Sequence, residues 1–198
     1  MGRTLVIGYG NIERGDDGAA FHVVNRLRAD FSQRPLAGDD SGLADLGRDT
    51  AVFVPQLVPE LALDAAVYSV LVLADAHVTR ERRPLVCARL RPEFRPPAFS
   101  HHLAPAMFAW LVQAARGGPL AAFVVSLRGH CFDLQRGLSA STAALVGPAA
   151  DAILRLAALR HSRPADATFN AQDCLPRNDT SAGNAPHEPT VSVRPNSH

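Results

Sequence analysis

With 198 residues, 47% of them apolar and 20% charged, the chain is long enough for one domain with a proper core and is ordinary in composition for a globular protein. A net charge of +1 gives no bulk attraction toward nucleic acid or anionic membrane, and every basic residue is an arginine. The three cysteines, Cys87, Cys131 and Cys174, form no CxxC pair, so neither a disulfide framework nor a zinc cluster is expected.

Unpaired thiols fit a reducing cytoplasm. No apolar run approaches the roughly 20 residues needed to span a bilayer. The N-terminus runs straight into an apolar segment without a signal-peptide pattern. The expected location is therefore cytoplasmic, with no membrane association.

In chain order, residues 5–7 read as a first strand that ends in Gly8-Tyr9-Gly10-Asn11, and residues 17–27 as an amphipathic helix. Residues 29–49 are polar and rich in Gly and Asp, and read as a surface insertion. A second strand is expected at 51–54, and a short helix from 59 to about 67 with a proline in its first turn. The continuous apolar run VLVLA at 70–74 is typical of a strand covered on both faces. Residues 85–90 read as a further strand and an edge candidate, 104–116 as a helix closed by Gly117-Gly118, and 122–127 as a buried strand. A long Ala/Leu-rich helix follows at 139–159, with Ser139 or Ser141 as its cap. This alternation predicts a three-layer α/β/α sandwich on a mostly parallel twisted sheet over residues 1–160. Residues 161–198, rich in Pro, Asn, Asp, Ser and Thr, are expected to be a disordered tail.

Ligands of open α/β sheets bind at the carboxyl ends of the strands. That edge collects Asp17 after strand 1, Gln56 after strand 2, Asp75 after the VLVLA strand, and His101 and His102 before the helix at 104. Two carboxylates and an imidazole suit a divalent transition ion. Each residue has a structural reading too. An acid in a first helical turn complements the helix dipole, an aspartate can cap or turn a chain, and a histidine at a helix entrance can be solvated. Asp16 reads as the capping member of the acid pair, and His22, His77, His130 and His161 as structural or solvated. Other chemistries fit poorly. The GxGxxG register places Glu13 where a dinucleotide site needs glycine, a P-loop and a phospho-acceptor receiver both need a lysine, and GxSxG is absent.

The segments GYGNIERGDDG (8–18), VLADA (72–76) and SHHL (100–103) resemble the NiFe-hydrogenase maturation endopeptidases, with matching order and spacing over about residues 3–160. The resemblance implies a protease that removes a C-terminal extension from a hydrogenase large-subunit precursor after nickel insertion. It implies Asp17, Asp75 and His102 as the ligands and catalytic site, binding nickel supplied by the precursor. It further implies Gly10, Asn11 and Gln56 near the substrate peptide, and a monomer acting in the cytoplasm. Many members carry an acid in the loop after strand 2, where this chain has Gln56-Leu57. The same ligands would also serve a non-enzymatic nickel-binding or hydrogenase-assembly chaperone.

Overall fold

The computed structural model describes residues 3–38, 40–78, 83–94 and 103–162. Five strands form one sheet in the order β2-β1-β3-β5-β4: β1 (Thr4–Tyr9), β2 (Asp49–Val54), β3 (Val70–His77), β4 (Leu85–Leu90) and β5 (Ala121–Arg128). All neighbours run parallel except β4, which closes one edge antiparallel to β5. The helices are α1 (Ala19–Asp30), α2 (Leu61–Ala65), α3 (Pro105–Arg116) and α4 (Ala140–Ser162). The sandwich expected from the alternation of strands and helices is the observed fold.

Strand side chains alternate between faces, and the two cores follow that parity. Val6, Val70, Val72, Ala74, Phe123 and Val125 pack with α1 and α4. Leu5, Ile7, Leu71, Leu73 and Ala122 pack with α2 and α3. Tyr9, Asp75, His77 and Ser126 continue the second set beyond the apolar stretch, so their side chains emerge together on the α2/α3 face. Helix α1 lies very close to β1: a Cβ on Gly8 would stand 2.7 Å from Val24 Cγ2 and 3.0 Å from the Ala20 carbonyl oxygen.

Three boundaries differ from the sequence reading. The first helix does not start at Asp17; Gly15–Gly18 form a 3-10 turn, and α1 begins at Ala19. The third strand does not stop before Asp75. It continues to His77 because β5 is long enough to pair it residue by residue, Asp75 with Ser126 and His77 with Arg128. Helix α4 runs to Ser162, slightly into the predicted tail, and residues 163–198 lie outside the described set.

The segment 29–49 is fastened rather than loosely applied to the surface. Arg28, with a fully buried side chain, donates from Nε to the Arg34 carbonyl at 2.5 Å, from Nη1 to the Ala51 carbonyl at 2.7 Å and from Nη2 to Asp45 Oδ2 at 2.5 Å. Asn25 Oδ1 accepts from the Leu36 N–H at 2.7 Å, and Leu36 itself is buried. Polar composition there marks side chain-to-backbone bonding as well as exposure. Arg28→Ala is expected to cost about 3 kcal/mol, because it strips donors from buried acceptors and opens a void. A chemical-denaturation midpoint checks this, and a change below about 0.5 kcal/mol would contradict the anchoring role.

Candidate active site

The sheet order reverses direction at β1: the chain passes from β1 out to β2 and then back across to β3 on the other side. Such a switch point opens a crevice above the strand ends, the usual ligand position in open α/β sheets. The segment after β1 and the end of β3 flank it.

Gly10 opens this segment with φ of +140°, and a Cβ there would fall 2.2 Å from the Asp17 carbonyl oxygen. Only glycine permits that approach. The chain then turns back on itself. Asn11 N–H donates to Asp17 Oδ2 at 2.9 Å, Asn11 Oδ1 accepts from Glu13 N–H at 2.9 Å, and Arg14 N–H donates to the Asn11 carbonyl at 3.1 Å. Asn11 thus shapes the loop with its side chain while remaining exposed.

The adjacent acids face opposite ways. Asp16 has no solvent contact. Its Oδ2 accepts from the N–H groups of His130 at 2.7 Å and Cys131 at 3.0 Å, with the Ser139 and Thr142 hydroxyls each 2.8 Å away; its Oδ1 accepts from Ser139 N–H at 2.7 Å. The Asp16 N–H in turn donates to the Cys131 carbonyl at 2.8 Å. The expected capping role is not found: Asp16 caps neither the 3-10 turn nor α1, and instead ties the turn after β1 to residues 130–131 and to Ser139, whose own hydroxyl caps α4. Desolvation alone would raise this carboxyl, but the three N–H donors and the Ser139 hydroxyl outweigh it and hold the group far below the usual carboxylate range.

Asp17 turns to the other side and lines a cavity of about 540 Å³ with Gly10, Asn11, Phe53 and Pro55; Glu13, Arg14 and Arg136 form its charged part. Arg136 Nε donates to Glu13 Oε1 at 2.8 Å and Oε2 at 3.0 Å, bridging the loop after β1 and the loop before α4. Gln56 follows β2 as an exposed residue next to Pro55.

Across the crevice, Asp75 leaves β3 half-buried. Tyr9 Oη donates to its Oδ2 at 2.7 Å, while its buried Oδ1 has no hydrogen-bond partner. Burial pushes the Asp75 carboxyl up, and the like charge of Asp17 adds to this; the Ser126 and Tyr9 hydroxyls and His77 oppose it. Ser126 stands beside Asp75 in register but falls short of completing a bond to Oδ1. The Tyr9 hydroxyl is raised by burial and by Asp75, which keeps it protonated as a donor.

The structure thus places Asp17, Gly10 and Asn11 along one cavity; Asp75 does not line it but lies near enough to feel the charge of Asp17, and Gln56 stands exposed after the end of β2. His101 and His102 lie outside the described residues, immediately before Leu103 and α3. Among the described residues no three His, Cys, Asp or Glu side chains gather into a metal-holding group. The donor set nevertheless suits a cation, since Asp75 keeps a buried oxygen without a partner beside a second carboxylate. Tyr9 and Ser126 were not singled out by the sequence reading, and His77 was read as structural or solvated. Their signal was period two, with Tyr9 continuing Leu5 and Ile7 and with Asp-x-His at the end of the VLVLA strand.

No protein-family model and no curated protein matches the sequence. Solved structures do. The hydrogenase maturating endopeptidase HybD from E. coli is 25% identical, with a TM-score of 0.59 covering 81% of this chain and 93% of its own. The chain has the fold of the hydrogenase maturation endopeptidases. The NiFe-hydrogenase maturation protease HycI from Thermococcus kodakarensis aligns at 20% identity and TM-score 0.54 over 76% of this chain and 89% of its own. The hydrogenase 2 maturation peptidase from a Thaumarchaeota archaeon gives 19% and 0.53 over 80% and 99%. Among the described residues no helix is long and apolar enough to cross a membrane.

Asp16→Asn is expected to lower stability by about 3 kcal/mol, since an amide cannot accept from every donor that converges there. Because the folded carboxyl is depressed, its contribution is complete above the unfolded pKa of about 4 and drains as pH falls below it. Denaturation curves of wild type from pH 6 to pH 2 should show that decline, and Asp16→Asn should lack this component; parallel slopes would contradict it.

Proposed function

We propose that this protein is an endopeptidase that removes a C-terminal extension from a NiFe-hydrogenase large-subunit precursor once nickel is in place. Supporting this reading is the convergence of Asp17 and Asp75 at the switch-point crevice, in a fold shared over most of its length with hydrogenase maturation endopeptidases. Asp17, Asp75 and His102 act as the ligand and catalytic set, and the nickel is part of the substrate rather than a resident cofactor. An ion so held can polarise a carbonyl or lower the pKa of a water.

The chain's own residues have distinct tasks. Tyr9 fixes the Asp75 carboxylate through Oδ2 and leaves Oδ1 to meet the ion. The Asn11 N–H orients Asp17 in the same way. Gly10 and Asn11 line the cavity beside Asp17, where an extended peptide can run along Phe53 and Pro55, and the exposed Gln56 that follows offers an amide. A glutamine hydrogen-bonds a peptide but cannot serve as a general base. Three protein donors leave coordination positions open for the ion's existing ligands.

The test is processing of a nickel-loaded precursor, followed as the mass lost from its C-terminus. Asp17→Ala, Asp75→Ala and His102→Ala should each reduce the rate at least about a hundredfold, in line with loss of a group acting in the transition state, with circular dichroism unchanged. Full activity in Asp75→Ala would count decisively against the site.

A further inference from the structure

The α2/α3 face of the crevice carries one more ligand-type side chain. His77 lies two residues after Asp75 on β3, so both side chains leave the same face of the strand. Its Nδ1 is 2.9 Å from Ser126 Oγ, and its Nε2 is buried with no hydrogen-bond partner. Asp75 Oδ1, on that same face, is likewise buried and unpartnered. A buried polar atom without a partner is costly, and here two occur two residues apart on one face of a strand.

Which ring nitrogen carries the proton decides what Nε2 can do. In a neutral imidazole one nitrogen donates and the other accepts. In the tautomer whose Nδ1–H donates to the Ser126 hydroxyl, Nε2 holds the free lone pair. Metal-bound histidines have this arrangement, with the distal N–H held by a neighbouring oxygen that sets tautomer and ring orientation. A carboxylate oxygen and an imidazole nitrogen on alternate positions of one strand are then two acceptors in want of one cation.

We propose that His77 Nε2 is a further ligand of a divalent transition ion at this crevice, acting with Asp75 Oδ1 and positioned by Ser126. The inference rests on the functional reading above and adds an imidazole beside Asp75. Asp75 and His77 supply two donors rather than a closed cage, which suits an ion arriving with ligands of its own. Imidazole with carboxylate favours nickel, zinc or copper over magnesium or calcium.

Cadmium is a diamagnetic probe for the full chain, with ¹⁵N-histidine labelling reporting each ring nitrogen. Added cadmium should move the Nε2 resonance of His77 while Nδ1 stays protonated, and Asp75→Asn should abolish that shift. His77→Gln should weaken cadmium binding roughly tenfold or more, and Ser126→Ala, which removes the partner of Nδ1 rather than a ligand, by a smaller factor. Cadmium binding that leaves His77 Nε2 unmoved would overturn the inference while leaving the other ligands standing. Absence of any cadmium binding would overturn it too. The wild-type measurement does not depend on a variant folding. Failure of the wild-type chain to shorten a nickel-loaded precursor would instead count against the functional reading, whatever His77 does.

Discussion

The Asp16 carboxylate is the constraint on which the site depends. It sits between the turn after β1, the chain at 129–131 and the first turn of α4, and receives hydrogen bonds from the latter two. Because the turn cannot move away from α4, Asp17 is forced to the opposite side, against Gly10 and over the crevice. A buried carboxylate is tolerated here because donors surround it and the amino end of α4 offers a favourable dipole. The acid pair is a division of labour imposed by geometry: one member builds, the other is presented.

The crevice draws on both faces of the sheet. Asp17 arrives from the turn leading into α1, on the α1/α4 side. Tyr9, Asp75, His77 and Ser126 emerge on the α2/α3 side, as continuations of the apolar positions that build that core. Strand parity, which fixes the two cores, therefore also fixes which polar groups meet. The Glu13–Arg136 pair adds a charged rim to the cavity beside Asp17 and ties it to the loop before α4. Each partner stabilises the charge of the other, with Glu13 held below and Arg136 above its ordinary range.

Much of this was legible in the sequence, for identifiable reasons. The VLVLA run and the spacing of apolar segments carry the sheet and its layers, since burial on two faces leaves a plain mark. Gly10 and the acid pair carry the turn. The end of β3 was not legible: Asp75, Ala76 and His77 lack β-forming character, and their strand conformation comes from pairing with β5. The distant duty of Asp16 was equally hidden, because its donors lie more than a hundred residues away in sequence. Nothing in the sequence marks Arg28 as buried; its bonds to Arg34, Asp45 and Ala51 make it an anchor.

The most direct test of the account compares two forms of one hydrogenase large-subunit precursor, nickel-loaded and nickel-free, incubated with the full chain and weighed by mass spectrometry. The account predicts loss of a single C-terminal fragment from the loaded form and an unchanged mass for the nickel-free form. Equal shortening of both would contradict recognition through the metal, and no shortening of either would contradict the proteolytic role.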